Sequence, residues 1–249
     1  MGSMFYGLTQ LTTLDLSNFD TAKVTNMGNM FYGSSGLTTL NISSFRTPLV
    51  NTMSGMFRGV SNLTTLDLSY FDTSNVTSMA NMFQSMTKLS TLNISGFRTP
   101  KVTSMGSMFN GAAALTTLDL SAFNTSLVTD MSSMFATTTN LTSLNISSFN
   151  TANVLTMASM FQGAAKLTTL NLINFVTTKV TTMNSMFYGC ALLTTLNVSS
   201  FNTSLVTNMA SMFRGTAALT SLSLTNFNTA KVNDMNYMFY GMTNLTSLN

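Results

Sequence analysis

The chain has no histidine, no tryptophan and no glutamate, a single cysteine and two prolines among 249 residues, and only 7% of it is charged. Each absence removes a class of chemistry. Without histidine there is no Ser-His-Asp or Cys-His pair and no imidazole ligand for a metal. With Cys190 alone, neither an intramolecular disulfide nor a cysteine zinc cluster can form. No apolar run approaches the roughly 20 residues that cross a bilayer, because Thr, Ser or Asn interrupts every few positions, so membrane insertion is not expected. The first residues, Met-Gly-Ser, lack the basic and apolar segments of a secretory signal. The ten Lys and Arg are scattered rather than clustered, which argues against a nucleic-acid partner.

What the chain has is one pattern copied end to end. Met-Phe recurs from Met4-Phe5 to Met238-Phe239 at intervals of 26 residues, without insertion or deletion. A fixed period of this size means a solenoid, here a single repeat domain over residues 1–249 with no atypical capping unit. Within each period Leu11-Thr-Thr-Leu14-Asp-Leu16 ends in apolar/polar alternation, which predicts a short strand with Leu14 and Leu16 inward and Thr13 and Asp15 outward. From Val24 the spacing changes to Val24, Met27, Met30 and Phe31, the three-and-four pattern of one helical face. Thr21 and its equivalents stand at the N-cap position, followed by Pro in Thr47-Pro48 and Thr99-Pro100, and Gly33 and most of its equivalents supply the stop.

The expected architecture is therefore α/β: ten parallel strands and about nine short helices. Strands stack at about 4.8 Å and helices at about 8–10 Å, which would put the sheet on a concave face and the helices on a convex one. A slower alternation overlies the repeat. Asp15, Asn41, Asp67, Asn93, Asp119 and Asn145 form one column, Leu16, Ile42, Leu68 and Ile94 another, and Asp20, Arg46, Asp72 and Arg98 a third of alternating charge. The genetic unit suggested is a pair of repeats.

The segment Leu63-Thr-Thr-Leu-Asp-Leu-Ser-Tyr-Phe-Asp-Thr-Ser-Asn-Val-Thr-Ser-Met-Ala-Asn-Met-Phe83 resembles the repeat of the BspA-like leucine-rich-repeat bacterial surface proteins, and the match runs from Met4 to Asn249. The resemblance implies a leucine-rich-repeat solenoid that is not an enzyme, needs no cofactor and works in adhesion or interaction at a cell surface or outside the cell.

Two functional readings follow. In the first, the chain is structural and adhesive and stacks head to tail with itself into filaments, because Met4, Phe5, Leu11 and Leu14 at one end and Met238, Phe239, Leu245 and Leu248 at the other would be bare on one side. Burying such side chains is worth about 1.5–3 kcal/mol each. In the second, a monomer binds a host or matrix protein or a glycan on the outward strand face, formed by Thr13, Asp15, Thr39, Asn41, Thr65, Asp67, Thr91, Asn93, Thr117 and Asp119. Other readings of the same residues are weaker. The Asp column puts carboxylates two repeats, roughly 10 Å, apart on an open face, which does not suit acid/base catalysis. The Met columns share their face with Val and Phe and read as core filler rather than copper ligands. Asn-x-Ser tripeptides at Asn41, Asn93, Asn145 and Asn197 are incidental to a Ser/Asn-rich repeat. Ice binding by the Thr rows is disfavoured by the expected curvature.

Overall fold

Phe31, Phe57, Phe83 and Phe109 lie one above another with ring centroids 5.4–6.0 Å apart, each belonging to a successive turn of a solenoid. In the computed structural model, which describes residues 1–249, every 26-residue period is one coil, and the inward columns merge into one cluster of 65 buried residues running the length of the molecule. The ring ladder continues from Phe135 through Phe161 and Phe187 to Phe213 and Phe239.

No helix is present. Val24, Met27, Met30 and Phe31 do turn inward, but on a series of tight turns. Met30 N–H donates to Met27 C=O at 3.3 Å, Tyr32 to Asn29 at 3.1 Å and Ser34 to Phe31 at 3.1 Å. Between these, alternate amides point along the solenoid axis: Met27, Asn29, Phe31 and Gly33 donate to Thr52, Ser54, Met56 and Arg58 of the next coil at 2.7–3.1 Å. An α-helix spends every amide inside its own segment and so cannot make these bonds. It is broken by left-handed residues four apart, Asn29 at φ 54° and Gly33 at φ 69°, a pattern repeated through the chain at Gly55 and Gly59, Asn81 and Ser85, and Ser107 and Gly111. The turns thereby stack at strand spacing.

The helix start signals have a different use. Thr47-Pro48-Leu49-Val50 is a β-turn closed by Val50 N–H to Thr47 C=O at 3.2 Å, with Pro at the second position where its fixed φ fits. Thr21, Thr47, Thr73 and their equivalents up to Thr203 are buried, and their hydroxyls bond the next coil instead of capping a helix.

Eight short strands are formed instead of ten: β1 (Thr13–Asp15), β2 (Thr39–Asn41), β3 (Thr65–Asp67), β4 (Thr91–Asn93), β5 (Thr117–Asp119), β6 (Ser143–Asn145), β7 (Ser221–Leu222) and β8 (Ser247–Leu248). They pair in parallel as β1-β2, β3-β4, β5-β6 and β7-β8, and the two intervening coils meet at a single bridge, Thr169 to Thr195. On the opposite face the bridges run without a break from Asn26 through Thr52, Ser78, Ser104, Asp130, Thr156, Thr182 and Asn208 to Asp234. Hydrogen bonding is thus more continuous on the turn face than on the strand face. The wider helix spacing that would have made the strand face concave does not exist. Nor do the Asp20, Arg46, Asp72 and Arg98 side chains pair with one another: Arg46 Nη1 donates to the Ser43 and Phe45 carbonyls at 3.3 and 2.9 Å, and Arg98 does the same at Ser95 and Phe97.

Candidate functional site

The alternation of Asp and Asn marks which strands join. In the first pair Thr39 N–H donates to Thr12 C=O at 3.1 Å and Leu16 N–H to Asn41 C=O at 2.9 Å. Equivalent bonds recur in the second pair (Thr91 to Thr64, Leu68 to Asn93) and in the third (Ser143 to Thr116, Leu120 to Asn145). Between pairs, no main-chain hydrogen bond joins β2 to β3 or β4 to β5.

Grooves open at these unjoined junctions. One of about 430 Å³ lies between β4 and β5, lined by Leu92, Asn93, Ile94, Thr117, Asp119 and Phe123 among others. Another of about 300 Å³ lies between β2 and β3 (Leu40, Asn41, Ile42, Thr65, Asp67, Tyr70), and a third of about 320 Å³ between Thr194–Asn197 and β7. Leu40, Leu92 and Leu196 on the leading walls are half-buried, whereas Leu66 and Leu118 on the trailing walls of the first two are buried.

Side chains two positions after Leu16 and its equivalents follow the difference in spacing at every junction described except that between β4 and β5, where the residue is Ala122. Where coils close, the residue is small. Ser44 Oγ reaches the Leu16 and Phe19 carbonyls, each at 3.0 Å, Ser148 makes the matching bonds to Leu120 and Phe123, and a Cβ on Gly96 would collide with the Ser69 carbonyl oxygen. At three of the parted junctions a longer side chain spans the gap: Tyr70 Oη donates to Ile42 C=O at 2.9 Å, Asn174 Nδ2 to Ser147 C=O at 3.1 Å and Asn226 Nδ2 to Ser199 C=O at 2.7 Å. Sequence reasoning missed both the grooves and this column, in which Tyr70, Asn174 and Asn226 stand among small residues.

The proposed binding residues fall as follows. Thr13, Thr39, Thr65, Thr91 and Thr117 are exposed at the strand starts, with Asp15, Asp67, Asn93 and Asp119 exposed and Asn41 half-buried at the strand ends. Asn41, Asp67, Asn93 and Asp119 sit on groove walls, whereas Asp15 and Asn41 also face each other across a closed junction. The Asp15 carboxyl is held below the usual carboxylate range by the Ser17 N–H and hydroxyl and by the Asn41 side chain; Ser121 and Asn145 do the same for Asp119. Nothing in this setting makes either carboxyl a proton donor near neutral pH. No three acidic or cysteine side chains gather closely enough to hold a metal ion. The Cys190 thiol is buried, donates to the Phe161 carbonyl at 3.1 Å and is pushed up to about 12 by burial, which leaves it unreactive.

Of the residues assigned to end-to-end contact, Met4, Leu11, Phe239 and Leu248 are exposed and Phe5, Leu14 and Leu245 half-buried. Met238 is enclosed at 5% exposure and offers nothing to a neighbour.

A family model described as "Mycoplasma protein of unknown function, DUF285" matches residues 1–117, 86–190 and 166–248. No curated protein matches the chain. Among solved structures, a leucine-rich repeat protein from Bacteroides ovatus is similar over 100% of this chain and 57% of its own, at 17% identity and a TM-score of 0.51. A leucine-rich cell surface protein from Faecalibacterium prausnitzii is similar over 100% of this chain and 75% of its own, at 16% identity and a TM-score of 0.47. The chain therefore spans a little over half of the Bacteroides protein, and the likeness between them is one of fold. The leucine-rich-repeat resemblance read from the sequence holds, without the helices it was expected to bring.

Proposed function

The chain belongs to the family described as Mycoplasma protein of unknown function, DUF285, and we propose that it is a non-catalytic recognition and adhesion module, working at a cell surface or outside the cell, that holds a partner protein or glycan on its strand face. The observation that carries this reading is the strand face itself. On it exposed Thr, Asp and Asn side chains recur in register and are interrupted by grooves of about 300–430 Å³, within the range of small ligand sites. Ice binding gains no support, since the Thr rows break at every second coil.

The test is a binding screen of the purified chain against extracellular matrix proteins and glycans, with Thr39→Arg, Asn41→Arg and Thr65→Arg as a triple variant. The reading expects at least one partner whose binding falls tenfold or more in the variant. Absence of any partner, or binding untouched by the three arginines, would contradict it.

Self-association is the second reading, favoured by the exposure of Met4 at 52% and Leu248 at 46% on the terminal coils. Light scattering and negative-stain electron microscopy over a concentration series would show growing unbranched filaments, lost in a Leu14→Lys, Leu248→Lys double variant. A monomer at all concentrations would end this reading.

A further inference from the structure

The grooves between coil pairs are bounded by two strand edges that have no main-chain partner. In a parallel ladder alternate residues of a strand bond to alternate sides. Thr39 and Asn41 face β1, so the N–H and C=O of Leu40 face β3; Thr65 and Asp67 face back toward them. None of the bonds that would close this junction is made. The same free edges recur at Leu92 and at Thr117 and Asp119. The junction is not simply slack, because the turn ladder stays closed behind it, through Thr77 N–H to Asn51 C=O at 2.8 Å and Met53 N–H to Ser78 C=O at 3.1 Å. In front, Tyr70 bonds to the Ile42 carbonyl across the gap.

We propose that these grooves receive an extended peptide segment of a partner protein, whose main chain pairs with the free edges of β2 and β3 and their equivalents. This deepens the recognition reading above and rests on it. Unpaired strand edges template strand addition, in which main-chain bonds supply affinity and side-chain contacts select the sequence. A peptide carries donors and acceptors alternating at the repeat of a strand, as these walls require, whereas sugar hydroxyls do not follow that repeat. The walls also indicate which peptide. Leu40 and Leu66 offer an apolar floor, and Asp67 and Asp119 put a carboxylate on the walls of the β2–β3 and β4–β5 grooves with no basic side chain among the lining residues. The segment that fits is extended, carries alternate apolar side chains and is basic on its other edge.

The test uses the full chain labelled with ¹⁵N, and a blocked heptapeptide of alternating lysine with threonine and valine, both unmodified and methylated on alternate amide nitrogens. Amide resonances of Leu40, Ile42, Thr65 and Asp67 should shift in a saturable way, while those of Thr39 and Asn41, already bonded within their pair, stay in place. Methylation of the peptide should weaken binding tenfold or more, and Asp67→Asn severalfold at low salt. No shift at millimolar peptide, an equal response to the methylated peptide, or a response only to a chitin oligosaccharide run in parallel would overturn the proposal. If the matrix and glycan screen yields a partner sensitive to the triple variant but the peptide does not bind, the groove proposal falls and strand-face recognition stands. Failure of both experiments removes both.

Discussion

The Thr21 hydroxyl donates to the carbonyl oxygen of Arg46 and accepts the N–H of the same residue, each at 2.7 Å, so one buried side chain supplies both bonds that Arg46 would otherwise seek from a strand neighbour. The device recurs down the molecule. Thr73 serves Arg98, Thr99 serves Asn124 and Thr177 serves Asn202 in the same double manner.

Thr73→Val keeps the shape and removes the hydroxyl, leaving a donor and an acceptor on Arg98 unpaired in a part-buried setting. Each such group costs about 1–3 kcal/mol. The expected result is a lower urea midpoint, with Thr73→Ser restoring most of the loss. If valine matched the parent, the bridge would have no part in stability.

Thr137 sits at φ 53°, in a column that is glycine in eight of its ten copies. The left-handed conformation costs a branched residue roughly 1–2 kcal/mol. Thr137→Gly should therefore raise the thermal midpoint even though it deletes a side-chain bond to Asn110. A midpoint left unchanged or lowered would show that the bond to Asn110 outweighs the backbone strain.

The Asp72 carboxyl is held below the usual carboxylate range, first by the Ser74 hydroxyl and then by the Ser74 N–H. Its folded pKa lies below its unfolded one. The contribution to stability is therefore complete above the unfolded pKa and lost as pH falls through the folded value. Ser74→Ala should move the Asp72 titration, followed by carboxyl NMR, upward toward the ordinary range and soften the acid-side decline. An unmoved titration would show that the hydroxyl does not set it.

The period, the register and nearly every buried column were legible in the sequence, because each inward position carries Leu, Ile, Val, Met or Phe in coil after coil. The helix was not there to be found. Three-and-four spacing records only which side chains turn inward, and the tight turns of Met27–Ser34 satisfy it as well as a helix does. The distinguishing signal lay at the polar position two before Phe31: Asn29, Gly55, Asn81 and Ser107 are residues suited to a left-handed backbone, each four ahead of another in the same conformation. Pairing of coils was half visible in the Asp15/Asn41 and Leu16/Ile42 alternation. That the pairs part from each other depends on distances between coils, which residue identity does not carry. Ser44 and Tyr70 reveal it only once their carbonyl partners are known.

The pairing of coils carries both the strand-face account and the groove proposal, and hydrogen exchange of the ¹⁵N-labelled chain measures it most directly. Leu16, Leu68 and Leu120 donate across closed junctions, whereas their counterparts Ile42, Ile94 and Ile146 have no acceptor in the following coil. The account predicts slow exchange at the three leucines and fast exchange at the three isoleucines, alternating with every second coil. Uniform protection of all six amides would show a continuous strand ladder without grooves, and would contradict it.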